Sequence, residues 1–312
     1  MSVTALVLIF VAALGHATWN LFSKQASAAG ATLFIWLVSA AATVIFLPVA
    51  AAVVLAGHPR LHAANWAVMA GAGLLQAGYF SFLQRGYQAG DLSLVYPIGR
   101  GTGALLAALA GIVLLGERPG WLSIAGIGAI VAGIVVIGVP PRHPRPAATA
   151  TSAGPGAGAG PPASPAPAAR PGWRTAVVLA LGTGAFIATY TLADKYAVST
   201  LKTPPVLEGY AAFPVMLAVF APQVIRHRDG LSGVWRRFWP QVLGAGVLTP
   251  GTYMLVLVAL SFTAVSAVAP AREVSVLFGV ILGRRLLNEG GLPRKLAAAV
   301  AIVAGIVAVA IG

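Results

Sequence analysis

Ten apolar blocks, each long enough to cross a bilayer, leave this chain very few ways to fold. They lie near residues 4–22, 32–56, 65–86, 92–115, 120–139, 174–194, 204–225, 239–261, 265–286 and 293–311. A helix needs roughly 20 apolar residues to cross about 30 Å of hydrocarbon. The blocks lack the alternation of barrel strands, and lipid offers backbone groups no other partner, so helices are the expected form. With 58% hydrophobic residues, 9% charged and a mean hydropathy of +0.88, a water-soluble globular chain is excluded. The net charge of +13 would suit nucleic acid, but the basic residues sit mainly between the apolar blocks, as membrane-flanking residues do. There is no cysteine, and five scattered histidines give no metal-ligand spacing, so no metal or other cofactor is expected. Ala26-Ser27-Ala28 could pass for a signal-peptide cleavage site. Residues 1 to 5 carry no Lys or Arg, however, and the first block has a counterpart later on, so it reads as a retained span.

The blocks repeat. Ser93-Leu94-Val95-Tyr96-Pro97-Ile98-Gly99-Arg100 runs on to Leu114-Leu115-Gly116-Glu117, and Ser266-Ala267-Val268-Ala269-Pro270-Ala271-Arg272 runs on to Leu286-Leu287-Asn288-Glu289. Arg to Glu is 17 residues in both. Trp19 and Lys24 answer Tyr190 and Lys195; Gly78-Tyr79 answers Gly251-Thr252-Tyr253; Ala132-Gly133 answers Ala304-Gly305. The order is the same throughout, at an offset of about 172. The expected division is therefore a first five-helix repeat over 1–139, a Pro/Gly/Ala-rich disordered linker over 140–172, and a second repeat over 173–312. The linker holds ten of the 22 prolines. Five spans per repeat is an odd number, so the second copy enters the membrane upside down. The predicted fold is an all-α membrane protein of ten transmembrane helices in two inverted five-helix repeats.

Five spans twice, a central proline on each fourth span, leucine-rich sequence ending in Glu and a Gly/Ala-rich fifth span together resemble the EamA-type drug/metabolite transporter superfamily. Gly116-Glu117 is the most typical piece; Asn288-Glu289 departs by losing the glycine, and Arg284-Arg285 is an unusually basic approach to it. The resemblance covers nearly the whole chain apart from the linker. It implies spans 1–4 and 6–9 around a central cavity, spans 5 and 10 at the periphery, and export of small metabolites or drugs by alternating access. It also implies cytoplasmic termini, which the loop charges oppose. Fourteen Lys and Arg lie in the odd-numbered loops and four in the even-numbered ones, which places the termini outside.

Within the spans, Arg100 and Arg272 are costly in lipid and need water, a partner or a ligand. One reading has them face each other and grip an anionic group. The other has Arg100 pair permanently with Glu273 as a helix-pinning contact. Glu273 is the acid placed nearest the middle of a span; it either carries a proton or serves as a fixed counter-ion. Asp194 and Lys195 at the end of the sixth span and Glu208 near the start of the seventh suit a gate that exchanges ion-pair partners. His16, Trp19 and Asn20 share one face of the first helix and read as a binding wall or as interhelical hydrogen bonding. Tyr96 and Tyr190 complete the candidate pocket, Tyr79 and Tyr253 lie at similar depth, and Pro97 and Pro270 are candidate hinges. Gln84, Arg85 and Tyr87 are expected nearer the membrane surface. Small residues at Ala125-Ala129-Gly133 and Ala297-Ala301-Gly305 mark the fifth and tenth spans as scaffold or a homodimer face.

No nucleotide-binding loop and no acid pair, Ser/His arrangement or metal helix for catalysis is present in the spans, so an enzyme is not expected. The function expected is secondary transport across the cell membrane of a small anionic or zwitterionic metabolite, such as an amino acid or a phospho compound, with proton coupling as one option. Efflux of cationic or aromatic drugs and lipid flipping are the rivals.

Overall fold

In the computed structural model the described residues are 3–27, 30–115, 120–138, 172–262 and 273–311. Ten α-helices and no strand occur among them: α1 Val3–Ala26, α2 Ala31–Gly57, α3 Ala63–Ala89, α4 Leu92–Leu115, α5 Trp121–Gly138, α6 Trp173–Ser199, α7 Pro205–Arg226, α8 Leu231–Phe262, α9 Ser275–Leu287 and α10 Leu292–Ile311. Seven of these, namely α1–α3, α5–α7 and α10, are long and apolar enough to cross a membrane. The segment between the repeats falls almost wholly outside the described residues, as do Arg272 and Pro270.

The helices pack in a pattern that maps onto itself when five is added to each helix number. Helix α1 packs on α8 and α6 on α3; α2 on α8 and α7 on α3; α1 on α9 and α6 on α4. Three pairs, α2 with α7, α4 with α9 and α5 with α10, join a helix to its own counterpart. Each of these counterpart pairs runs antiparallel. On α4 and α9, Ser93 lies by Gly283, Tyr96 by Gly279 and Arg100 by Glu273. On α5 and α10, a Cβ added at Gly126 would meet the Gly305 carbonyl oxygen at 2.6 Å, and one at Gly133 would meet the Ala298 carbonyl oxygen at 2.8 Å.

That last contact corrects the expected small-residue stripe by one position. Ala125 is exposed and Ala129 half-buried, whereas Gly126, Ile130 and Gly133 face the partner helix. The fifth and tenth helices thus meet within one chain along a backbone-to-backbone seam, which only residues without side-chain bulk permit.

Two further departures from the expected spans have local causes. Helix α8 starts at Leu231 instead of near 239, because its first turns form a separate exposed piece carrying Arg236 and Arg237. That piece ends where Phe238 leaves helical geometry (φ −127°, ψ 18°), two residues before Pro240. Glu273 is not inside a helix: it lies in the turn that opens α9. At the other end of α9, Asn288 sits in the left-handed region (φ 53°, ψ 34°) and closes the helix. Asn is the residue after Gly that best tolerates this conformation, so it does the turn-making work of the missing glycine.

Candidate functional site

Arg100 sits one turn beyond Pro97 on α4, which passes through the proline without interruption. Its guanidinium faces the start of α9. Arg100 Nε donates to Glu273 Oε2 at 2.9 Å and a terminal nitrogen donates to Oε1, a bidentate ion pair in which Arg100 is 6% exposed and Glu273 7%. The geometry joins Arg100 to Glu273, the pairing that the second sequence reading names. Glu273 is the counter-ion of Arg100, not a lone carboxyl.

Around the pair the sequence-derived residues form one connected layer. Beside Arg100 on α4, Tyr96 is bonded through its hydroxyl to Ser275 Oγ of α9 at 2.8 Å, and its ring lies 6.2 Å from His16 of α1. Trp19 donates its indole N–H to His16 Nδ1 at 3.2 Å. Asn20 donates to the His16 carbonyl at 2.8 Å and accepts from the Tyr87 hydroxyl of α3 at 2.6 Å. From Trp19 a run of rings continues through Phe80 (5.6 Å) and Tyr79 (4.9 Å) to Tyr190 of α6 (5.8 Å). Helices α1, α3, α4, α6 and α9 therefore meet in one polar and aromatic layer.

Tyr87, near the end of α3, joins this layer: it is fully buried, and Lys24 donates to its carbonyl and, at 2.5 Å, to that of Gly90. Gln84 is buried as well. Position along the span says nothing of side-chain direction, and Tyr87 is turned toward α1. A tyrosine hydroxyl one layer below an asparagine on a neighbouring helix leaves no trace in linear spacing.

The remaining candidates divide. Glu208, in the first turn of α7, is 2% exposed, and neither of its oxygens accepts a hydrogen bond from a donor among the described residues. Its ionisable neighbour is Asp194, one turn beyond Tyr190 on α6. A half-buried Asp194 beside the buried Glu208 puts two carboxyls of like charge together. The Lys195 side chain is outside the described residues, as are Arg272 and Pro270. No cluster of metal-binding side chains occurs among the described residues.

A residue assigned no chemistry by sequence does clear structural work. Glu289, in the short turn between α9 and α10, reaches across to the start of α4. Its Oε1 accepts the Leu92 N–H at 2.6 Å, and its Oε2 accepts the Ser93 N–H at 2.9 Å and the Ser93 hydroxyl. The first N–H groups of a helix have no intrahelical partner, so the second repeat caps a helix of the first. Lys295 of α10 adds bonds of 2.7 Å to Asp91 Oδ2 and to Ser93 Oγ.

The model of the EamA-like transporter family matches residues 3–139 and 174–311, both halves without the segment between. A solved structure described only as "Crystal structure of protein" is similar over 100% of this chain and 98% of its own, with a TM-score of 0.56 and 17% identity. That likeness is one of fold. No curated protein matches.

Proposed function

From this chain's place in the EamA-like transporter family, to which it belongs, we propose that its ten helices cross the cell membrane as two inverted repeats and export a small zwitterionic or anionic metabolite by alternating access. The antiparallel packing of counterpart helices supports the inverted arrangement, since an odd number of crossings per repeat reverses the second copy.

The observation that carries the substrate reading is the Arg100–Glu273 pair beside the aromatic layer. Opened by a ligand, it offers a guanidinium to a carboxylate or phosphate and a carboxylate to an ammonium, while Tyr96, Trp19 and Tyr190 enclose the carbon skeleton. His16 and Asn20 hold the α1 wall. Arg272 adjoins Glu273 in sequence, and a second positive group suits amino acids and phospho compounds better than cations. Pro97 and Pro270 supply the flexible points. Proton coupling belongs to Asp194 and Glu208, with Lys195 as gate partner, because Glu273 already has a cation. The excess of basic residues in the odd loops supports termini outside.

The test is transport into and out of proteoliposomes with a panel of amino acids, phosphorylated solutes and cationic drugs. Wild type is expected to move a zwitterion or anion, and Arg100→Ala and Arg272→Ala to raise its KM. Unchanged KM in both variants, or transport of cations alone, would falsify the reading.

A further inference from the structure

A cavity of about 340 Å³ lies between the start of α2, the later half of α3 and the end of α7, apart from the layer described above. Gln84 lines it. The side chain is 1% exposed, yet neither its amide nitrogen nor its amide oxygen has a partner among the described residues. A buried primary amide left so is costly, and a ligand that both accepts and donates would satisfy it.

The cavity has a second, independent feature. Gly30 is the N-cap of the 27-residue α2 and has no side chain to cover the N–H groups that follow, and the backbone from Gly30 to Leu33 lines the same space. Free N–H groups and the positive end of the helix dipole favour an anion there. Arg85 and His227 add basic groups at the wall, and no Asp or Glu is among the lining residues. Metal cations are disfavoured by that donor set, and a purely apolar ligand would leave Gln84 unsatisfied.

We propose that this cavity binds a phosphate ester, its anionic oxygens at the α2 N-terminus and Arg85 and its hydroxyl groups against the Gln84 amide. The site shares no residue with the Arg100–Glu273 layer, so it stands or falls independently of the transported substrate. The ester is either the headgroup of an anionic phospholipid or a soluble polyol phosphate.

Melting of the full-length protein separates these sources. One arm adds glycerol 3-phosphate in detergent, with chloride matching ionic strength in the control. The other compares phosphatidylcholine nanodiscs with and without phosphatidylglycerol. A saturable rise in Tm is expected in at least one arm: a response to glycerol 3-phosphate assigns a soluble ester, and a response to phosphatidylglycerol alone assigns the lipid. Gln84→Leu should melt no lower than wild type without probe and lose the rise. Arg85→Gln, on an exposed position, should weaken apparent affinity about tenfold, as loss of a charged hydrogen bond does. The proposal is overturned if neither probe stabilises wild type, or if Arg85→Gln and Gln84→Leu respond as wild type does. Should Gln84→Leu not fold, Arg85→Gln decides alone.

Discussion

Removing one member of a buried ion pair is far worse than removing both. Glu273→Gln leaves the Arg100 guanidinium without its counter-ion in a site 6% exposed, and losses of this kind run to about 3–5 kcal/mol. The double variant Arg100→Met/Glu273→Leu should regain most of that, read as Tm in detergent, while transport stays lost in both. A structural pin with no role at the substrate would give the opposite second result: folding and transport would return together. Asn288 offers a milder check. Asn288→Gly should be near neutral, and Asn288→Val should lower stability by about 1 kcal/mol or more, because a β-branched residue resists the left-handed region. Arg100 and Glu273 were legible in the sequence because a charge inside an apolar run demands an explanation. That Arg100 meets Glu273 was not legible, since it turns on a distance across 173 residues of chain. Gln84 and Tyr87 stayed hidden for the related reason that side-chain direction, not position along the span, decides burial.

At the scale of helices, the seam between α5 and α10 and the cap on α4 are the contacts most exposed to single changes. Gly126→Leu would drive a side chain into the Gly305 backbone, where no flexible neighbour can yield. Overpacking costs typically about 1–3 kcal/mol and here should reach or exceed the upper end, seen as loss of folded protein on size-exclusion chromatography. Glu289→Gln keeps the shape of the cap but removes its charge at the α4 N-terminus and beside Lys295; a drop of about 1–2 kcal/mol is expected in urea or thermal unfolding. Most helices could be placed to within a few residues from hydropathy alone. Two depart: α9 opens only at Ser275, after the turn at Glu273, and α8 starts early because its first turns are amphipathic and largely exposed, so an apolar-run criterion passes over them until Pro240 is near. The register of the α5 stripe was one residue off for a similar reason: Ala and Gly alternate so freely there that either face looks able to pack closely.

For the whole molecule, duplication was the most readable property, because it rests on many positions at once. The structure adds what duplication alone does not specify, namely that three pairs of counterpart helices touch and run opposite ways. A chain without cysteine makes orientation directly testable. Ser232→Cys and Thr200→Cys lie on exposed positions at the start of α8 and the end of α6. An impermeant maleimide on intact cells should label Thr200→Cys, and should reach Ser232→Cys only after permeabilisation. The reverse pattern would place the termini in the cytoplasm.

The match between the halves is incomplete at one place. Lys295 clasps Asp91, whereas the corresponding positions of the other half are Ser123 and Ala264, which can form no ionic clasp. Two perfectly equivalent halves would make both poses of a rocking carrier equally comfortable. On the alternating-access reading proposed above, an extra bond on one flank tilts that seesaw toward the pose that keeps it, and the opposite pose must break it.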